Sequence, residues 1–271
     1  MKLGISSYTY PWAVGVPGSK PENPLSAMEL VDNSCKAGLK LVQIADNLPL
    51  ENLPVNELEN LLQFSLLKGI SIEMGGRGLN PEHTMECLKT AEKLNSKILR
   101  MVIDTQDFQP DVQTIISLVR ELVPEFKSRN IQLAIENHDR FKAKEFEKII
   151  NDVGSELVGI CLDSVNSMGA GEGFETVSDI LIPYTINLHI KDFTIFRISH
   201  KMGLFIEGRP AGKGMLNIPG LLTKLSKTGR CMSAVLELWT PPEPNITDTI
   251  KKESSWADES ITYLISIFKN L

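Results

Sequence analysis

The chain contains no C-x-x-C pair. Its four cysteines, Cys35, Cys87, Cys161 and Cys231, are spread too widely for a zinc knuckle or a redox dithiol and read as buried, reduced thiols. No apolar run approaches the ~20 residues that cross a bilayer. Met1 to Tyr8 turns polar before a signal-peptide core could form. The expectation is therefore a cytoplasmic protein with no membrane partner. Positive charge is also in short supply: a net charge of −6 and a pI near 5.4 give no basic field for a phosphate backbone, and no nucleic-acid partner is expected. Histidine is scarce, with only His83, His138, His189 and His200 present. No Pro/Gly/Ser-rich linker or low-complexity tract interrupts the chain, so residues 1–271 are expected to form one domain.

What is present is a repeated alternation. Hydrophobic residues make up 42% and charged residues 23%, as in ordinary globular proteins, so neither a disordered nor a fibrous chain is indicated. Eight short β-rich runs stand between amphipathic stretches: Leu3 to Tyr8, Leu41 to Ala45, Ser71 to Met74, Ile98 to Ile103, Ile131 to Glu136, Val158 to Asp163, Thr185 to Ile190 and Ser233 to Leu238. Such alternation predicts an α/β fold, a parallel (β/α)₈ barrel. Leu25, Met28, Val31 and Cys35 repeat at helical spacing, Asn80-Pro81 reads as a helix start, and Gly69 and Gly154 read as helix stops. Trp256, Leu264 and Phe268 are assigned to a closing helix. Phe193 to Pro219, rich in glycine, is expected to be a long irregular loop on the face where barrels carry their sites.

Side chains alternate along a strand, so residues two apart share a face. That places Ala134, Glu136 and His138 together, and likewise Cys161 with Asp163, Asn187 with His189 and Lys191, and Val235 with Glu237 and Trp239. Four successive strands thus end in Glu136, Asp163, His189 and Glu237. The spacings of 27 and 26 residues between the first three match one βα unit each. Three carboxylates in one confined mouth repel unless a cation compensates them, and a divalent ion does so while leaving the imidazole a neutral ligand. Oxygen-rich donors favour manganese; magnesium, cobalt and zinc also fit, and no organic cofactor is expected.

The runs Ala134-Ile135-Glu136-Asn137-His138, Cys161-Leu162-Asp163-Ser164-Val165-Asn166, Leu188-His189-Ile190-Lys191-Asp192 and Leu236-Glu237-Leu238 resemble the xylose isomerase-like barrel superfamily, over nearly the whole chain. That group includes ketose 3-epimerases, inosose dehydratase and the apurinic endonucleases. In its ketose epimerases the glutamates after strands five and eight bind the metal and face opposite sides of the substrate α-carbon. The resemblance implies those roles for Glu136 and Glu237, as an acid/base pair acting through an enediolate, with Asp163 and His189 holding the ion.

His138 is a candidate to bind a substrate hydroxyl or to orient Glu136, and Lys191 to neutralise oxyanion charge. The resemblance suggests Arg209 as a substrate-binding arginine. Arg100, costly to bury alone, is expected to meet a carboxylate, with Glu73 one candidate, or an acidic substrate. Tyr8, Tyr10, Trp12, Asn47 and Trp239 are candidate walls of the pocket. Four histidines are too few for the trinuclear zinc cluster of the apurinic endonucleases. Asp192 is the main candidate for a second ion of the xylose isomerase kind, and alone it does not support one.

The leading expectation is a metal-dependent sugar isomerase or epimerase acting on a small sugar or sugar acid. The alternative is a lyase on the same scaffold, either a dehydratase of a keto-polyol or a decarboxylase of an oxo sugar acid such as 3-oxo-isoapionate. A homo-oligomer is compatible with the sequence.

Overall fold

The computed structural model describes residues 1–269. Its strands are β1 (Lys2–Ser6), β2 (Leu41–Ile44), β3 (Ser71–Arg77), β4 (Ile98–Val102), β5 (Gln132–Glu136), β6 (Val158–Asp163), β7 (Thr185–Ile190), β8 (Asp192–Arg197), β9 (Leu204–Arg209) and β10 (Ser233–Leu236). Strands β1 to β7 and β10 close into a barrel in the order β1-β10-β7-β6-β5-β4-β3-β2, and every pairing in it is parallel. The helices are α1 (Pro11–Val14), α2 (Ala27–Lys36), α3 (Val55–Lys68), α4 (Pro81–Lys93), α5 (Val112–Arg129), α6 (Ala143–Val153), α7 (Phe174–Leu181), α8 (Ile218–Thr228) and α9 (Ile246–Phe268). The expected (β/α)₈ barrel is the fold, and among the described residues no helix is long and apolar enough to cross a membrane.

Local chemistry sets the boundaries. Asn80 caps α4 by accepting from the His83 N–H at 3.0 Å, with Pro81 in the first turn. Gly69 and Gly154 end α3 and α6 in the left-handed region, at φ 66° and 68°. Helix α2 departs from the expected stripe. It starts after its Ser26 cap, so Leu25 lies outside it; Leu30 and Val31 face inward while Met28 is 42% exposed.

Strand β1 stops at Ser6 because Ser6 and Thr9 close a capping box around a 3₁₀ turn. Strand β3 runs past Met74 to Arg77. Gly75 there leaves room for Arg100, since a Cβ on it would stand 3.2 Å from Ala45 Cα and 3.5 Å from Arg100 Cδ.

The largest departure lies in the expected irregular stretch. Its first half is an antiparallel hairpin, β8 paired with β9 from Asp192↔Arg209 to Arg197↔Leu204. The return of the chain is organised by Asp192, whose carboxylate accepts the backbone N–H groups of Phe193, Gly212, Gly214 and Leu216 at 2.8 to 3.0 Å. With both oxygens used in this way, Asp192 is a structural staple of the loop.

The closing helix α9 carries a second buried carboxylate. Glu253 accepts from the Trp12 and Ala13 N–H groups at 2.9 and 3.0 Å and so caps α1. Burial raises its pKa from 4.5 to about 7, outweighing those two hydrogen bonds. The folded state therefore holds this proton more tightly than the unfolded chain. The stabilisation is complete below 4.5 and is lost as pH rises through about 7. Urea unfolding should show the stability advantage of wild type over Glu253→Gln shrinking by on the order of 2 kcal/mol between about pH 5 and about pH 8. A difference independent of pH would refute the assignment.

Candidate metal centre and active site

Four neighbouring strands, β5, β6, β7 and β10, carry Glu136, Asp163, His189 and Glu237 into one buried region, each at most 1% exposed; His189 is shared by two groups of possible ligands, one with Glu136 and Cys161 and one with Asp163 and Glu237. Register explains the convergence, because Asp163 lies opposite His189, His189 opposite Val235, and Glu237 follows at the end of β10. The imidazole Nδ1 stands 3.5 Å from Glu136 Oε2, 3.7 Å from Asp163 Oδ2 and 3.4 Å from Glu237 Oε1.

Each of the four side chains has one atom tied back. Glu136 Oε1 accepts from Asn166 Nδ2 at 2.6 Å, and Asp163 Oδ1 accepts from the Val165 and Asn166 N–H groups at 2.8 and 2.9 Å. Glu237 Oε1 accepts from Ser6 Oγ at 2.9 Å, and His189 Nε2 lies 2.7 Å from Gln43 Oε1. Of their other atoms, Glu136 Oε2, Asp163 Oδ2 and Glu237 Oε2 are buried and met only by the ion pairs of Arg100 and Lys191, and His189 Nδ1 is buried without a hydrogen-bond partner. A buried polar atom left unpaired costs about 1–3 kcal/mol unless something binds it.

The residues present fit a divalent cation. Donors bonded to one ion at ~2.0–2.2 Å in tetrahedral array stand ~3.3–3.6 Å apart, close to the separations about Nδ1. Gln43 fixes the ring so that Nδ1 offers its lone pair inward. Gln43 is itself held, since its Nε2 donates to Glu73 Oε2 at 3.2 Å and to Asn187 Oδ1 at 3.1 Å. Burial pushes Glu73 up to about 7.

Two cations are threaded among the acids. Lys191 Nζ lies 2.8 Å from Asp163 Oδ2 and 2.9 Å from Glu237 Oε2. Burial alone would lower the lysine pKa, but Asp163 and Glu237 outweigh it and keep the amine charged. Arg100, 2% exposed, sets Nε 2.5 Å from Glu136 Oε2, while its Nη1 reaches Asp46 Oδ1 at 2.9 Å. Its partners are therefore Glu136 and Asp46, and not Glu73, which bonds to Gln43 and Asn187 deeper in the barrel.

A cavity of about 800 Å³ opens above this centre, lined by Tyr8, Trp12, Asn166, Lys191, Glu207 and Trp239 among others. Tyr8 also donates its hydroxyl to Asp46 Oδ2 at 3.2 Å, and Trp239 is 43% exposed. Tyr10 is instead buried in the core. Asn47 is turned away from the cavity because its amide is spent on Ser7, accepting from the hydroxyl at 2.5 Å and donating to the carbonyl at 3.2 Å. Arg209 is folded onto its neighbours Glu207 and the Gly208 carbonyl, and Glu207 takes the place on the cavity wall expected for it. His138 stands beside Asp139 and Arg77, at 3.2 and 3.5 Å, and does not orient Glu136. His200 lies exposed in the hairpin turn.

Sequence reasoning missed Asp46, Arg77, Gln43, Ser6 and the Asn166 contact. A glutamine inside the otherwise apolar β2 was the one available signal. Asp46 joins Arg100 to Arg77, whose Nε is 2.9 Å from Asp46 Oδ2.

A closed parallel barrel with buried charged residues at the C-terminal ends of its strands is the architecture of the barrel enzymes. The comparisons are specific about the family: the profile described as xylose isomerase-like TIM barrel matches residues 70–265, and the chain belongs to that family. It is 30% identical over 264 residues to a 3-oxo-isoapionate decarboxylase of Pectobacterium atrosepticum, covering 97% of this chain and 95% of that protein. A D-psicose 3-epimerase from Clostridium cellulolyticum H10, solved with D-tagatose, shares the fold with TM-score 0.74 at 16% identity, over 99% of both chains. A xylose isomerase-like barrel from Mycobacterium smegmatis in complex with magnesium superimposes with TM-score 0.67 at 13% identity, over 96% of this chain and 97% of that one.

Elemental analysis of purified protein should find tightly bound divalent metal in wild type and its loss in Asp163→Ala and His189→Ala. Gln43→Leu, which frees the imidazole but keeps all four donors, should weaken metal affinity about 10- to 100-fold in a chelator competition. Unchanged metal content in the first two variants would dismantle the centre.

Proposed function

We propose that this chain is a divalent-metal-dependent decarboxylase of a small oxo sugar acid. Glu136, Asp163, His189 and Glu237 would hold the ion, which when bound polarises a substrate carbonyl and lowers the cost of enolate formation. In a 3-oxo acid the carbonyl carbon lies β to the carboxylate. The C–C bond to the carboxylate breaks, its electron pair becomes the enolate, carbon dioxide leaves, and the enolate carbon takes up one proton.

The observation that carries this reading is the state of Glu136. An epimerase needs a carboxylate free to take a proton from carbon on each face. Glu136 has one oxygen bonded to Asn166 and the other 2.5 Å from the Arg100 guanidinium, so neither stands free to act as a base. Decarboxylation needs no such base; it needs a proton donor. Lys191, charged and on the cavity floor next to Glu237 Oε2, is placed to deliver a proton from Nζ, and Glu237 to share it. The 30% identity to a 3-oxo-isoapionate decarboxylase across nearly both chains supports this lyase reading over the isomerase one. Tyr8, Trp12 and Trp239 would pack against the C–H faces of the substrate.

Metal-loaded protein incubated with 3-oxo sugar acids in deuterated water should release carbon dioxide and leave one deuterium in the product. Lys191→Met should lower kcat by about 10²-fold or more with metal content retained. If instead the protein exchanges the α-hydrogen of ketoses for deuterium and releases no carbon dioxide, it is an epimerase or isomerase and Glu136 is a base after all.

A further inference from the structure

Outside the barrel, three chemically different donors meet that the proposed reaction does not use. His83 and Cys87 lie one turn apart on α4, and Glu51 comes from the short turn Leu50–Asn52 that follows β2 and packs on that helix. A carboxylate oxygen, a ring nitrogen and the sulfur all lie within 4.8 Å of one another. The geometry points to a second metal site: we propose that Glu51, His83 and Cys87 bind a thiophilic divalent cation of the zinc class, with the fourth position open to water.

The separations suit such an ion. His83 Nε2 stands 3.5 Å from Cys87 Sγ. Zinc bonds of ~2.3 Å to sulfur and ~2.0–2.1 Å to nitrogen at a tetrahedral angle put those two atoms ~3.5–3.6 Å apart. Glu51 Oε2 is buried with no hydrogen-bond partner, as is His189 Nδ1 in the barrel centre. On the other side of the ring, His83 Nδ1 lies 3.8 Å from Glu86 Oε2, an ion-pair distance too long for a hydrogen bond.

Cys87 is fully buried and held against β3, where a Cβ on Gly76 would fall 2.9 Å from its sulfur. A divalent ion bound to the sulfur would displace the thiol proton to solvent. Bound there, the ion would tie α4 to the turn after β2, the segment that also carries Asp46.

Cobalt(II) titration of metal-free, full-length protein tests this, because a thiolate ligand gives cobalt a near-ultraviolet charge-transfer band and the proposed barrel ligands contain no thiolate. Wild type should take up two equivalents, one of them with that band. His83→Ala and Cys87→Ser should each lose the band and one equivalent while the carboxylate-bound equivalent remains. Asp163→Ala should do the reverse, so failure of the barrel centre and failure of this site are read separately. His83 is half-buried, and its variant decides the matter if Cys87→Ser does not fold. A single equivalent in wild type without a thiolate band would overturn the proposal and leave a thiol–imidazole hydrogen bond. A band that survives both substitutions, with Cys161 as its source, would overturn it equally.

Discussion

Three carboxylates and an imidazole face one another in a space closed to water, and the rest of the barrel mouth answers that crowding. Like charges at this range repel strongly in a low-dielectric interior. Arg100 and Lys191 enter from opposite sides to divide the load, the arginine against Glu136 and Asp46 and the lysine against Asp163 and Glu237. Two cations stand against three carboxylates there, and His189 Nδ1 is buried without a hydrogen-bond partner. The polar scaffold of Ser6, Gln43 and Asn166 holds the four side chains in place.

The barrel is what makes this arrangement affordable. Each donor lies on, or just after, a different strand of the closed ring, so the repulsion is resisted by several paired strands and not by one loop. Beneath the centre, Gln43, Glu73 and Asn187 form a buried polar layer inside the strands. That layer is costly to bury but settles which nitrogen of His189 points inward, a choice an apolar packing could not make.

Much of this was legible in the chain itself. Period-two alternation and βα spacing were enough to bring Glu136, Asp163, His189 and Glu237 to a common mouth, because the barrel converts regular sequence distance into angular position. Charge pairing across the barrel was not legible: Arg100 could be seen to need a carboxylate, but Asp46 lies 54 residues away and Glu136 lies on the next strand, and only closure of the ring brings all three together. Asn47 and Arg209 stand outside the cavity lining for a related reason. Each is within reach of a nearer polar partner, Ser7 in one case and Glu207 in the other. The hairpin in the glycine-rich stretch was hidden because its glycines belong to the return loop that Asp192 gathers, and not to the strands alone.

That gathering has a consequence for the cavity wall. A single aspartate at the foot of β8 anchors both the departure and the homecoming of the excursion, while Phe196 and Phe205 farther out along it are 40% and 50% exposed. The outer part of the excursion, from Phe205 to Gly208, forms one wall of the cavity, so that wall is anchored from its own foot and not from the buried centre.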